Sequence, residues 1–312
     1  MIVVAGEALV DMIPSLDEEE GSRFVAVPGG SPFNVALALG RLGCRPRFLC
    51  GFSRDAFGRM LRQTLEDSGV DLNYCLPAKG LTTLGFVTEG PSGTPEYAFY
   101  TSGTAGCALS MEEIPDALPP EVEAIHFGSF SLGVEPFGAA LESLCQRESG
   151  KRFISLDPNI RPFLVSDRKK YEARLERFLG AADLIKASEE DLAWLDPEQS
   201  IGDFAQGWLN RGAGLVVITR GEQGASAFCW QGQVNVAGET VDVVDTVGAG
   251  DTFQASLLSG LGNRGLLDRD AIRNVELVDV ESILTGASHA AAINCTRRGC
   301  DPPTREELNP LQ

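Results

Sequence analysis

Asp251 is the residue around which the chemistry of this chain can be organised. It lies in VDVVDTVGAGDTF (residues 241–253), where an apolar run leads into Gly248, Ala249 and Gly250. A helical pattern carried by Phe253, Leu257, Leu258 and Leu261 follows. A strand-to-helix turn of small residues leaves backbone N–H groups unpaired, with the positive end of the helix dipole behind them. Such a turn is an anion cradle suited to phosphate. A carboxylate beside it would repel the anion unless it has work to do. The stretch therefore predicts a transferable phosphoryl group on the cradle and a proton taken from the acceptor by Asp251. The structural alternative for the same residue is a helix N-cap, which Asp favours.

Two further glycine-rich turns compete for a ligand. TRGEQG (Thr219–Gly224) lies between two apolar strands and reads as a tight turn without a helix dipole. PGGSPFN (residues 28–34) carries a helix start, with Ser31 as N-cap and Pro32 at the first helical position. Its glycine pair, Gly29 and Gly30, lets a ligand approach the backbone. Asn34 offers an amide in a turn where a core-facing residue would be apolar. A Walker A loop is absent, since Gly150-Lys151 is followed by Arg152. Of the two histidines, His126 ends a strand, where ordinary structural use outweighs a substrate contact.

The elements that must position these residues follow from periodicity. Short apolar strands at residues 2–5, 47–51, 124–127, 153–156, 183–185 and 215–219 alternate with helical stretches at 55–68, 136–149, 168–180, 189–195 and 202–211. That alternation predicts an α/β fold with a mostly parallel sheet and helices on both faces. Ligands on such sheets bind at the carboxyl ends of the strands. There the sequence places Gly6 and Asp11, then Asp157, Asn159 and Arg161, then Lys186 and Ser188, then Thr219 and Gly221, and Asp251. A short strand at 24–28 and a hairpin at 84–88 and 97–100 interrupt the rhythm and read as a small β lid. The acidic run 17–20 reads as a solvated turn.

Composition sets limits. The 312 residues give ample core. The formal net charge of −18 argues against nucleic acid and anionic membranes as partners. No apolar run reaches the ~18 residues of a membrane span, and the N-terminus reads as a strand without a basic leader. Eight cysteines without a CxxC pair suit buried free thiols in a reducing cytoplasm.

Gly29-Gly30 with Asn34, together with the DTxGAGDxF run from Asp245 to Phe253, resemble the two signatures of the ribokinase-like sugar kinases, the PfkB family. In look the chain is closest to that family's bacterial fructokinases. The resemblance spans nearly the whole chain and takes in Asp157/Asn159/Arg161, Thr219/Gly221/Gly224 and the TRRG of residues 296–299. It implies a single ribokinase-like three-layer domain over residues 1–312, with a lid from roughly 10–28 and 82–102. It also implies ATP-dependent phosphorylation of a primary hydroxyl on a small neutral sugar, most of all fructose. Asp251 is then the general base. The N–H groups of the Gly248-Ala249-Gly250 turn, counted as those of Ala249, Gly250 and Asp251, form the anion hole, with Arg161 as nearby cation. Asp11, Gly29, Gly30, Asn34, Tyr100, Asn159 and Arg161 fall at the sugar. Lys186, Ser188, Thr219, Gly221, Gly224, Gly250 and Ser288 fall at ATP. Asp191 stands where the family engages Mg2+, and Asp245, Val247, Asn294, Arg297 and Gly299 where many members hold a monovalent cation such as K+. Relatives often dimerise through the lid, which implies a homodimer.

The chain also departs from the family. Ser188…Asp191 replaces NxxE, Ser288 with His289 replaces the usual residue near adenine, and Pro303 replaces a polar residue near the monovalent ion. Phe99-Tyr100-Thr101 lacks the Arg of many lids, which weakens the case for an acidic sugar. The runner-up acceptor is 2-keto-3-deoxygluconate, because DPNIRPF also occurs in that branch. A catalytically weak sugar- and nucleotide-binding scaffold is the reading outside enzymes.

Overall fold

In a computed structural model, residues 1–15, 23–89 and 95–308 are described. The expected turn at 17–20 and the hairpin tip at 90–94 lie outside them. The larger of two sheets has nine strands. In spatial order these are β13 (Gly232–Val236), β12 (Ala225–Cys229), β11 (Leu215–Thr219), β10 (Leu184–Ser188), β9 (Phe153–Asp157), β8 (Ala124–Gly128), β1 (Ile2–Ala5), β4 (Arg47–Phe52) and β5 (Asp71–Pro77). From β11 to β5 every pairing is parallel, and β12 and β13 are added antiparallel. The smaller sheet runs β3 (Phe24–Gly29), β2 (Leu9–Pro14), β6 (Thr83–Glu89) and β7 (Pro95–Tyr100).

Alternation along the central strands builds the layers. Ile2 and Val4 face one core with α1 (Ser31–Arg41), α2 (Ala56–Asp67), α7 (Ala249–Asn263), α8 (Arg269–Arg273) and α9 (Leu277–Cys295). Val3 and Ala5 face the other with α3 (Phe137–Glu148), α4 (Arg168–Ala181), α5 (Glu189–Leu195) and α6 (Ile201–Asn210). A short α10 (Arg305–Leu308) closes the described chain. Strands buried on both faces read as continuous apolar runs, which is why LVVIT and IVVA are legible as central strands. Polar side chains stop several peripheral helices from fraying: Asp55 accepts from Gly58 N, Asp167 from Lys170 N and Ser200 from Asp203 N. All eight cysteines are free. No described helix is long and apolar enough to cross a membrane.

Two expectations need correction. The apolar run Val241–Val244 forms no strand. The amides of Val244 and Asp245 turn instead to the carbonyl of Cys295 at the end of α9 (2.8 and 3.2 Å), which removes them from any ladder. Ser31 is not the N-cap of α1. Gly30 holds that place at φ 105°, and Ser31 is the first helical residue, with Pro32 second.

Candidate active site

The site forms where α1 and α7 meet at the carboxyl end of the large sheet. Both helices start on a glycine with positive φ, Gly30 and Gly248 (φ 75°), and neither has a side-chain cap. Asp251 is the third residue of α7, so it does not cap that helix. Its carboxylate is held by α1: Ser31 Oγ donates to Oδ1 at 2.6 Å and Asn34 Nδ2 to Oδ2 at 2.8 Å. The group is 7 % exposed. Burial lifts its pKa above the ordinary carboxylate range, opposed by the Ser31 and Asn34 hydrogen bonds and by the charges of Lys186 and Arg161. Asn34 Oδ1 is buried without a hydrogen-bond partner, leaving an acceptor beside the Asp251 carboxylate.

Of the three N–H groups expected in the anion cradle, that of Ala249 donates to the Thr246 carbonyl at 3.2 Å. Those of Gly250 and Asp251 have no acceptor among the described residues, and the regular ladder resumes with Thr252 N to Gly248 O at 2.8 Å. The cradle therefore has two donors. Its shape depends on glycine: a Cβ at Gly248 would lie 2.4 Å from Cys300 Sγ, and one at Gly250 3.3 Å from Lys186 Nζ.

Lys186, expected at the nucleotide, is therefore directly behind the cradle. It is 3 % exposed and its Nζ pairs with Asp157 Oδ2 at 2.8 Å. Burial alone would discharge it, but Asp157, Asp191 and Asp251 together keep its pKa raised. Three carboxylates share this one ammonium, so Asp157 is under-compensated. Its pKa is pushed up to about 6 by burial and by Asp191 and Asp251, against the pull of Lys186. His126 is buried, bonds Ser155 Oγ at 3.0 Å, and is held neutral with its pKa pushed down to about 3 by burial and by Lys186. It is a core histidine.

Of the residues expected at the sugar, Asp11, Gly29 and Tyr100 are carried by the small sheet. Asp11 pairs in register with Gly85, and Gly85 with Phe99, so all three share one face. A Cβ at Gly29 would lie 2.4 Å from Asp11 Oδ2, and one at Gly85 would lie 2.7 Å from Oδ1 and 2.8 Å from the Phe99 ring. Two missing side chains thus make the socket for the carboxylate. Burial raises the Asp11 pKa to about 6 despite the opposing charge of Arg161. Tyr100 pairs with Leu84 on the opposite face, is 63 % exposed and meets Phe86 edge-on. Tyr100, expected at the sugar, thus lies on the face opposite to Asp11, and Phe99 on the same face as Asp11, since neighbouring strand residues point to opposite faces. Phe99 stacks on Phe163 at 5.5 Å.

Arg161 Nη1 folds back onto Asn159 Oδ1 (2.6 Å) and onto the carbonyls of Asn159 and Ile160 (3.2 and 3.3 Å). Asn159, expected at the sugar, thus holds the arginine with its amide oxygen.

On the nucleotide side, Thr219 ends β11 and Gly221 opens to free space at φ 52°. Gly224 has another reason to be glycine, because a Cβ there would lie 2.0 Å from Val236 O. Ser288 Oγ is buried without a partner. Ser188 caps α5 and accepts from Asp191 N, while Asp191 Oδ2 accepts from Ser188 N at 2.9 Å and Oδ1 from Ile160 N at 2.6 Å. Asp191 is thus no open ligand for Mg2+, and among the described residues no cluster of three His, Cys, Asp or Glu could hold a metal ion.

The residues expected around a monovalent cation bond to one another instead. Asp245 accepts from Val247 N (3.0 Å) and Gly299 N (2.9 Å), and Asn294 donates to Val247 O (2.8 Å). The Arg297 guanidinium pairs with Glu307 at 2.5 Å.

Sequence reasoning did not single out Ser31, which bonds Asp251, or Phe99, which shares a face with Asp11. Ser31 had a signal, since it precedes Asn34 by three residues and so shares its helix face.

Comparison with known proteins gives a consistent set. The sequence pattern described as pfkB family carbohydrate kinase matches residues 1–307. A fructokinase of Rhizobium leguminosarum bv. trifolii is 42% identical over 287 residues, covering 92% of this chain and 86% of that protein. A fructokinase structure from Xylella fastidiosa with bound ATP superposes with a TM-score of 0.91 at 25% identity, covering 99% of this chain and 97% of that one. A fructokinase from Vibrio cholerae O395, solved with fructose, ADP and a calcium ion, gives a TM-score of 0.84 at 28% identity over 99% and 98% of the two chains.

Proposed function

The chain belongs to the pfkB family of carbohydrate kinases, and from that premise we propose that it transfers the terminal phosphoryl group of ATP to a primary hydroxyl of fructose. The observation that carries the reading is a buried Asp251, fixed by Ser31 and Asn34, next to two free N–H groups at the start of a long helix.

The hydroxyl to be phosphorylated approaches Asp251, which takes its proton as the new O–P bond forms. The N–H groups of Gly250 and Asp251 stabilise charge on the transferring group, with Lys186 supplying positive charge behind them. Asp11 binds sugar hydroxyls from the lid and Arg161 offsets the chain's negative field. Mg2+ would be carried on the ATP phosphates, since among the described residues no carboxylate cluster would hold it. Closure of the lid excludes water as a competing acceptor. We further propose a homodimer through the lid, supported by the exposed Tyr100 and the Phe86 and Phe24 rings that cluster with it. Sedimentation showing only monomer at micromolar concentration would refute that part.

The test is a coupled ADP-release assay against fructose, 2-keto-3-deoxygluconate, ribose and nucleosides. Fructose should give the highest kcat/KM. Preference for the acidic sugar would move the assignment to that acceptor. ATP binding without turnover on any sugar would replace it with the scaffold reading.

A further inference from the structure

We propose that Asp191 is a positioning residue for Arg161, acting through the backbone of Ile160, and not a ligand of a metal ion. The inference rests on the sugar-kinase reading above and assigns one of its carboxylates a different job.

The geometry begins at the end of β9. After Asp157 and Pro158 the chain turns through Asn159, which has a left-handed φ of 39°, and enters a tight helical turn at Pro162–Leu164. Immediately after such a turn, the N–H of Ile160 is directed into the protein, where an unpaired donor would cost about 1–3 kcal/mol. Ile160 itself is 6 % exposed. Asp191 Oδ1 accepts that N–H at 2.6 Å, bridging from α5 to the β9 loop.

The other oxygen, Oδ2, accepts from Ser188 N and Ser188 Oγ at 2.9 and 3.0 Å. Asp191 is 5 % exposed. The carboxylate is thus closed off by three protein donors. An aspartate at this position folds back on its own helix start. A glutamate, one methylene longer, could reach outward.

What the brace holds is the arginine. Arg161 Nη1 is bonded to Asn159 Oδ1 and to the carbonyls on both sides of the Ile160 amide's peptide neighbourhood, those of Asn159 and Ile160. Its Nε and Nη2 have no acceptor among the described residues and are available to a sugar or phosphate oxygen. The guanidinium is therefore clamped to the same three-residue turn that Asp191 anchors. If the turn shifts, the charge shifts with it. A displacement of about 1 Å in a positioning group can cost up to ~10²-fold in rate.

Steady-state kinetics of Asp191→Ala, Asp191→Asn, Arg161→Ala and the Asp191→Ala/Arg161→Ala double variant test this, together with hydrogen exchange at the Ile160 amide. Asp191→Ala should raise KM for fructose about tenfold and expose the Ile160 amide to exchange, with half-saturation by ATP and Mg2+ within about twofold of wild type. Asp191→Asn should recover most of the loss, because its amide oxygen can still accept from Ile160. The double variant should be no worse than Arg161→Ala alone, as coupled residues are non-additive.

A raised Mg2+ requirement in both Asp191 variants, or an additive double variant, would overturn the proposal. Should the alanine variant fail to fold, the asparagine variant and its Mg2+ titration still decide. A wild-type protein inactive on every sugar but protected at Ile160 would sink the functional reading and leave the brace standing. An unprotected Ile160 amide in wild type would sink the brace.

Discussion

Helices α5 and α7 both bring an aspartate towards the buried ammonium of Lys186, and both carry it at the third helical position. They treat their ends in opposite ways. In α5, Ser188 is the N-cap and closes a reciprocal box with Asp191, so the amides of Ser188 and Asp191 are satisfied from within. In α7 the N-cap is Gly248, which has no side chain to offer. Asp251 has no box to close and is held from outside by Ser31 and Asn34, and two N–H groups stay open. The same residue at the same helical position is tied to its own helix start in one case and to a different helix in the other. The residue three places earlier decides which.

The sharpest way to break the comparison is to remove the open helix's acid. Asp251→Ala should lower kcat by about 10²–10⁴. Thermal stabilisation by ATP should persist, since the N–H groups remain. A near-normal rate would remove the base from Asp251. Closing the open end is the next largest effect. Gly248→Ser would try to cap α7 as Ser188 caps α5, but at φ 75° and against Cys300. We expect a loss of about 1–3 kcal/mol in unfolding free energy. A fall of about 10²-fold in kcat should accompany it as cradle donors are lost. An active, stable Gly248→Ser enzyme would show that the open end is not needed.

Loosening the external grip on Asp251 is milder. Ser31→Ala removes a bond that lowers its pKa, so kcat should fall about tenfold and the acid limb of kcat/KM should move to higher pH. An unmoved acid limb would mean that Asp251 is not the titrating group. The smallest effect lies on the lid. Asp11 titrates near 6 in the folded protein against an ordinary value of 3.8, so its contribution to stability is fully present below 3.8 and lost as the pH rises through about 6. Asp11→Asn should therefore raise Tm by about a few degrees at pH 8 and not at pH 3.5, while weakening fructose binding. Melting curves at the two pH values check it, and equal shifts at both would contradict the burial argument.

The large sheet was legible because LVVIT, IVVA and FISL are buried on both faces and need no partner pattern to identify them. DLNYCLP was harder. As the edge strand β5 it carries Asp71 and Asn73 and so lacks the continuous apolar run of the central strands. VDVV misled in the other direction, since four residues of strand composition were taken out of any ladder by the Cys295 carbonyl. Asp251 and Asn34, singled out by spacing and resemblance, lie within hydrogen-bond distance of each other in the structure. Ser31 was misassigned because a serine ahead of a proline satisfies the local rule for an N-cap. The long-range bond to Asp251, 220 residues away, overrides that rule. The expected strand at 97–100 carried no register, so the sequence did not show that Phe99, and not Tyr100, shares a face with Asp11.

The socket that Gly29 and Gly85 leave for Asp11 has a consequence for observing the protein at work. The carboxylate is wedged between two backbones of the small sheet and cannot reorient independently, so it travels with the lid. Its proton affinity is set largely by burial, with Arg161, on the large sheet's side, opposing. Lifting the lid would return Asp11 towards the titration of a free aspartate, and closing it restores the value near 6. The carboxyl carbon of Asp11 is thus an internal gauge of opening and closing, readable by NMR titration without attaching any label.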